Sequence, residues 1–523
     1  MKKRICALLL TLALLLGALA PAALALDGVS NTPIITIPGT SNVHIANEAG
    51  ERIVPDDVGV DTILGDRALV TSLLRQFAKS IVTNRWDPYC DMLVDTLAPI
   101  WAPAVFDANG EPQHGDHIMG SFRPDYAREK TGAFSTSDYV FQYDWRLDPL
   151  VIADQLETYV DAVRRATGAD KVTLVGRCYG ANVMSAYLSK YGCEKVNCAV
   201  YYCSLALGNE QVDAVFTGRI SLDPDTVDQY LNYYLTDQKP VEDDDLTGFL
   251  ASLVTVLNYT ATLDVTTWTV EKLLAKFKDN ILPRILRASY GSYPGYWAMV
   301  SDEAYEDAKQ YVFGGVEAEY AGMIAKLDAY HYGVMTRMDE LLDRCDASGM
   351  NVTVITKYNT PAYPIFEGSN YQSDNSCSLE KQSFGAVSSD IESTLDDAYI
   401  AEREALGYGK YLSADRKIDA STARYPDTTW FFKDLGHTEH PAFVMGLIER
   451  AADAPAGAPF TVDSDSAYPQ FMRKTAPNAF APVTPEDASD AKWQKTPFFR
   501  SLRNMIASLF RFLRTFFRSR RQA

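Results

Sequence analysis

The sequence predicts an α/β fold: a mostly parallel central sheet flanked by helices, with a largely helical cap insertion. Three observations carry this. Apolar, β-branched runs alternate with stretches of helical periodicity between Pro33 and Cys203, the order expected of parallel strands joined by crossover helices. Within that order, Lys171–Lys190 (KVTLVGRCYGANVMSAYLSK) reads as a buried strand, a glycine-bounded turn and a helix with apolar positions at Val183, Met184, Tyr187 and Leu188. Finally, the strand signal vanishes from about Leu205 to Leu327 and returns at Asn351.

The turn inside that stretch is Gly176-Arg177-Cys178-Tyr179-Gly180. It has the form of a nucleophile elbow, G-x-S-x-G, with cysteine in place of serine. A sharp strand-to-helix turn lifts one side chain above the sheet and needs small neighbours, which the two glycines supply. The N–H groups and partial positive charge of the following helix favour a thiolate or an oxyanion. A buried structural cysteine in a tight β–α turn is the plainer reading of the same five residues.

At the N-terminus, Lys2-Lys3-Arg4 precedes an apolar run from Ile5 to Ala20, and Ala23-Leu24-Ala25 offers a small-residue cleavage site. Residues 1–25 therefore read as a secretory signal peptide, with the mature chain starting near Leu26 and an extracytoplasmic location. No later run is long and apolar enough to span a bilayer. The chain carries a net charge of −19. The leader holds three basic residues and the segment from Ala491 onward nine, neither with an acid, so the body between them stands at −31. A body so acidic argues against nucleic-acid binding. Seven of the eight cysteines follow the leader, an odd number that leaves room for a free reactive thiol and does not reveal any pairing.

In chain order, Pro33–Ile37 (PIITI) is a buried-strand pattern ending at Pro38-Gly39-Thr40-Ser41. Leu69–Thr83 and Met92–Trp101 have helical spacing. His114-Gly115-Asp116-His117 has metal-ligand residue types but sits in a loop punctuated by glycine and proline, so it reads as a solvated loop. Tyr139-Val140 is strand-like, Leu150–Thr167 a crossover helix and Val196–Cys203 the next strand. The cap insertion, 205–327, contains expected helices at Asp223–Leu235, Leu246–Leu257 and Thr267–Asn280, the last stopping before Pro283. It also holds an aromatic run over Tyr290–Met299 that fits either an acyl pocket or a packed hinge. Leu327–Cys345 reads as one helix, Asn351–Thr356 and Trp430–Phe432 as strands, and Ala442–Arg450 as the closing helix. The core thus occupies 26–204 and 328–450. Residues 451–497, rich in Ala, Pro and Asp, read as a linker. In 498–523, Phe and Leu positions gather on one helical face and arginines on a neighbouring arc, the pattern of a helix lying on an anionic membrane or envelope surface, with docking on the chain's own acidic body as the plainer reading.

A nucleophile needs a base, and the base an orienting acid. The order nucleophile, acid, histidine is met by Cys178, Asp374 and His437, with His440 and Asp390 as close competitors. Over roughly residues 30–450 the chain resembles the lecithin:cholesterol acyltransferase-like branch of the α/β-hydrolases. The resemblance rests on Pro33–Ser41 (PIITIPGTS), Tyr143–Pro149 (YDWRLDP), Val172–Gly180 (VTLVGRCYG), Ser292–Met299 (SYPGYWAM) and the Asp374 and His437 loops. It implies an α/β-hydrolase fold with a cap, no metal or organic cofactor, and action on acyl esters of lipids by hydrolysis or transfer through an acyl-enzyme. It also implies an oxyanion hole from the backbone N–H groups of Thr40 and Tyr179. Two departures stand out: Arg177-Cys178 where the family has His-Ser, and Asp374-Asn375 where it has Asp-Gly. The alternative expectation is a catalytically silent protein of the same fold that binds lipid or envelope surfaces.

Overall fold

Short β-branched and aromatic runs become the strands of one central sheet. The computed structural model describes residues 30–40, 44–54, 67–118, 120, 122–221 and 275–489. The expected leader, most of the expected helices over 223–280 and the tail helix of 498–523 lie outside the described residues. The strands are β1 (Ile34–Ile37), β2 (Tyr139–Val140), β3 (Val172–Arg177), β4 (Val196–Tyr202), β5 (Asn351–Tyr358), β6 (Thr429–Lys433), β7 (Phe471–Ala476) and β8 (Ala479–Pro482). Their spatial order is β8-β7-β6-β5-β4-β3-β1-β2. Every neighbouring pair is parallel except β7 with β8. The chain is therefore an α/β protein with a mostly parallel sheet.

The strands read as unbroken apolar runs because both faces are covered. On β4, Ala199 and Tyr201 point into the larger core cluster, while Cys198, Val200 and Tyr202 point into a second one. The larger cluster is closed by α3 (Pro149–Thr167) and α4 (Gly180–Tyr191), after α1 (Arg67–Thr83) and α2 (Asp87–Leu97). The second is closed by Val444, Leu447 and Ile448 of the last helix, α10 (Ala442–Ala452). Local signals set the ends of α3. Asp148 caps its first turn by accepting from Leu150 N at 2.8 Å, and Gly168 stops it at a φ of 70°.

Between β4 and β5 the described residues are helical: α5 (Glu210–Phe216), α6 (Leu282–Arg287), α7 (Asp302–Phe313), α8 (Ala321–Gly333) and α9 (Met338–Ala347). Two boundaries differ from expectation. The helix meant to stop before Pro283 instead passes through a π-turn at Phe277–Ile281 into α6, with Pro283 in the first turn of α6. The single helix expected over Leu327–Cys345 is two, because the backbone breaks at Val334 and makes a 3₁₀ turn over Met335–Arg337. The aromatic run is packed core: Tyr293 meets Trp145 edge-on at 5.7 Å and Trp297 stacks on Phe313 at 5.2 Å.

The stretch read as a linker, 451–497, is corrected over its described part. It supplies β7 and β8 to the sheet edge, where Phe471 stacks on Phe431 at 5.2 Å and Phe480 meets Phe432 at 5.3 Å. Buried Lys433 ties it down, donating to the Asp415 carboxylate at 2.9 Å and to the Asp487 carbonyl at 2.6 Å. The His114–His117 loop also has a frame. His117–Ile118 pairs antiparallel with Ile45–Ala46, and the Asp116 carboxylate meets the buried Arg146 guanidinium at 3.0 Å. Arg146 is further held by Asp144 at 2.7 Å and by the Ala104 carbonyl at 3.0 Å, so the YDWR string packs the core beneath the sheet's C-terminal ends.

Candidate functional site

β3 ends at Arg177 and α4 begins at Gly180, which leaves Cys178 and Tyr179 to turn the chain. Cys178 has a φ of 53°, a left-handed conformation costly for a residue with a Cβ and held here by its surroundings. Its N–H donates to the Tyr202 carbonyl at 3.1 Å, and its carbonyl accepts from Ala181 N at 3.0 Å. Three glycines make the approach possible. A Cβ at 176 would lie 2.7 Å from the Ala181 Cα, and one at 180 would lie 2.0 Å from the Ile37 carbonyl oxygen. A Cβ at 39 would lie 2.8 Å from the Cys178 Cβ and 3.2 Å from its Sγ. The turn after β1 is thus pressed against the thiol, and the Tyr143 hydroxyl anchors it through the Pro38 carbonyl. Thr40 follows Gly39 in that turn. Tyr179 stands at the start of α4, where N–H groups have no partner within the helix.

Asp374 and His437 come from the loops after β5 and β6. Asp374 is fully buried. Its Oδ1 accepts from the backbone N–H groups of Ser376 at 3.0 Å and Cys377 at 2.9 Å, and its Oδ2 lies 2.6 Å from His437 Nδ1. A backbone bond doubles the link, His437 N donating to the Asp374 carbonyl at 2.8 Å. Burial alone would raise the Asp374 pKa, but the adjacent His437 charge, their shared hydrogen bond, Lys357 and the Cys377 N–H hold it below the ordinary carboxylate value. Burial likewise opposes charge on His437, yet the Asp374 carboxylate, helped by Cys178 and Cys203, pushes it well above an ordinary histidine. His437 Nε2 is buried without a hydrogen-bond partner among the described residues, and no hydrogen bond joins it to the Cys178 thiol.

The competitors separate cleanly. Asp390 is exposed. His440 Nδ1 faces the Tyr202 hydroxyl at 3.2 Å with no carboxylate against it. Burial and the charges of Lys357, Arg177 and His437 drive its pKa far below the ordinary value. Asn375, the departure from Asp-Gly, has a φ of 87°, a conformation that glycine adopts freely and asparagine tolerates better than most residues. The substitution therefore preserves the turn that aims Asp374. Gln211 Nε2 holds the same loop from α5, donating to the Asn375 carbonyl at 2.8 Å and the Ser376 carbonyl at 2.7 Å. Arg177 turns to the α10 side: its guanidinium donates to the Met445 sulphur at 3.1 Å and lies 6.0 Å from the Tyr202 ring centre, with burial lowering its pKa.

Two participants were not anticipated. Lys357, near the end of β5, is completely buried. Its Nζ donates to the carbonyls of Gly436 at 2.9 Å, His437 at 2.6 Å and Glu439 at 2.7 Å, with the Tyr202 ring centre 4.7 Å away. It cages the histidine loop from below. The sequence signal was a lysine placed inside the strand run NVTVITKY, where a charge needs partners. Cys203, directly after β4, is buried with a φ of 42°, its Sγ 3.9 Å from the His437 carbonyl. Ligand atoms of Cys203, Asp374 and His437 lie within 4.8 Å of one another, but Asp374 Oδ2 and His437 Nδ1 already satisfy each other at 2.6 Å.

A buried carboxylate, an imidazole oriented by it with the distal nitrogen bare, and a thiol raised on a strained turn form an arrangement able to carry nucleophilic acyl chemistry. No protein-family model, curated protein or solved structure matches this chain. The fold and site define an α/β protein with an aspartate–histidine pair and a cysteine on a strained turn, each in a loop that follows a parallel strand.

Proposed function

We propose that the chain is an extracytoplasmic acyl-ester hydrolase or O-acyltransferase of the α/β-hydrolase kind, working on lipid-like esters through a covalent thioester on Cys178. The observation that carries this reading is the Asp374–His437 pair at 2.6 Å with His437 Nε2 bare, beside a cysteine held at a φ of 53°.

In this reading His437 Nε2 takes the Cys178 thiol proton as Sγ attacks the acyl carbonyl carbon. The oxyanion is met by the N–H groups of Thr40 and Tyr179. Collapse of the tetrahedral intermediate breaks the ester C–O bond, and His437 returns the proton to the leaving alkoxide. Water or an acceptor alcohol, deprotonated by His437, then attacks the thioester and frees the thiol. Asp374 fixes the tautomer with the proton on Nδ1 and stabilises the imidazolium. The missing Sγ–Nε2 hydrogen bond suits a resting enzyme whose catalytic contacts tighten on substrate. It equally favours the second reading, a silent lipid- or envelope-binding protein. The basic amphipathic segment 498–523 would hold either protein at an anionic surface.

Release of 4-nitrophenol from a series of acyl esters separates the readings. Turnover by the wild type that vanishes in Cys178→Ala, with an acyl adduct trapped on Cys178, supports the enzyme. No turnover by wild type or Cys178→Ser, in folded protein, supports the silent binder.

A further inference from the structure

Cys193 and Cys345 lie far apart in the chain and meet inside the protein. Cys193 follows Gly192, which ends α4 at a φ of 79°, and Cys345 sits in the last turn of α9. Their sulphurs are 3.1 Å apart across 152 residues of sequence. Cys345 is wholly buried and Cys193 is 5% exposed. Among the described residues this is the one contact between two cysteine sulphurs. Cys198 instead faces Thr353 Oγ1, Cys203 the His437 carbonyl and Cys377 the Gly208 carbonyl.

We infer that Cys193 and Cys345 are joined by a disulfide in the mature protein, a covalent staple between the helix that follows the Cys178 turn and the helix that leads into β5. α4 leads into β4, α9 leads into β5 and the two helices pack on each other, so the staple closes a covalent loop of chain that contains β4 and residues 205–327. Two S–H bonds break and one S–S bond forms. The S–S bond of a small-molecule disulfide such as glutathione disulfide breaks as well: it takes the two electrons and the two protons and becomes two thiols. The contact is chemically prepared, since the hydrogen bond from Cys345 lowers the Cys193 pKa and thiolate is the form that attacks a disulfide. One pair is used, and the other five cysteines after the leader, Cys178 among them, stay free thiols.

The test needs no variant and does not depend on the proposed catalysis. The full chain is refolded with a glutathione disulfide/glutathione mixture, denatured, alkylated without reductant and digested. A peptide linking Cys193 to Cys345, with both unalkylated, is expected. Full alkylation of both, or either one linked to a different cysteine, overturns the inference. As a second reading, reduction should lower the melting temperature of the oxidised wild type by about 5 °C. Cys193→Ser should already melt at that lower value and ignore the reductant. An unchanged wild-type melting point on reduction, with the bond shown to be present and then cleaved, rejects its role as a staple.

Discussion

Replacing Lys357 by methionine keeps the length of the side chain and removes its charge and its three donors. The three acceptors lose different amounts. The Glu439 carbonyl also accepts from the Tyr202 hydroxyl at 3.1 Å, so it remains satisfied. The Gly436 and His437 carbonyls, at 2.9 and 2.6 Å, lose their ammonium partner. Each buried acceptor left unpaired costs about 1–3 kcal/mol, a total of roughly 2–6 kcal/mol. Removing a buried ammonium returns part of that by sparing its desolvation, so a net loss of about 2–3 kcal/mol is expected. The larger effect falls on the site. Two loop carbonyls freed to seek water will draw the His437 loop outward, and a displacement near 1 Å costs on the order of 100-fold in rate. Urea unfolding followed by tryptophan fluorescence reads the first quantity, and ester hydrolysis by the folded variant reads the second. Lys357→Met with wild-type stability and wild-type turnover would refute the account of Lys357 as the cage of the histidine loop.

Gly39→Ala and Gly180→Ala should behave oppositely. The first places a methyl 2.8 Å from the Cys178 Cβ and 3.2 Å from its sulphur at a backbone angle any residue accepts, so the Cys178 turn must give: turnover should fall about 100-fold while the melting temperature falls only modestly. The second drives a methyl to 2.0 Å from the Ile37 carbonyl and should fail to fold stably, and equal thermal losses in the two would contradict the geometry. The Asp374–His437 pair predicts a stability window in pH. The lowered pKa of Asp374 adds stability that is present above its ordinary 3.8 and fades as pH falls through the lower folded value. The raised pKa of His437 adds stability that is full below its ordinary 6.5 and fades as pH rises through the higher folded value. The gap in unfolding free energy between wild type and Asp374→Asn should therefore be widest between about pH 4 and 6.5, and a gap flat from pH 3 to 9 would exclude the charged pair.

The strands of the sheet were readable because burial on both faces turns them into short β-branched runs, as at Ile34–Ile37 and Val172–Val175. β7 and β8 were hidden because they lie at the edge. Phe471-Met472-Arg473-Lys474 mixes two apolar and two basic residues, and the surrounding Ala, Pro and Asp suggest a linker. The break at Val334 escaped notice because apolar spacing runs through it: Tyr330, Val334, Met335 and Met338 are all buried, so periodicity alone reports one helix. Chain order and motif spacing led to Cys178, Asp374 and His437. Choosing His437 over His440, or Asp374 over Asp390, takes tertiary contact, since the histidines stand only three positions apart and only one ring reaches a carboxylate. Lys357 shows in the sequence as a charge inside a strand run, but what it holds does not, because its partners are backbone carbonyls from a loop some 80 residues away and carbonyls leave no trace in side-chain patterns.

The double link between residues 374 and 437, one through side chains and one through backbone, makes carboxylate and imidazole a single preassembled cassette. The residue at 178 is mounted on a different part of the scaffold and is not bonded to that cassette at rest. The two can therefore diverge separately: a lineage, or an engineer, is free to exchange sulphur for oxygen at the tip of the turn without rebuilding the carboxylate–imidazole pair.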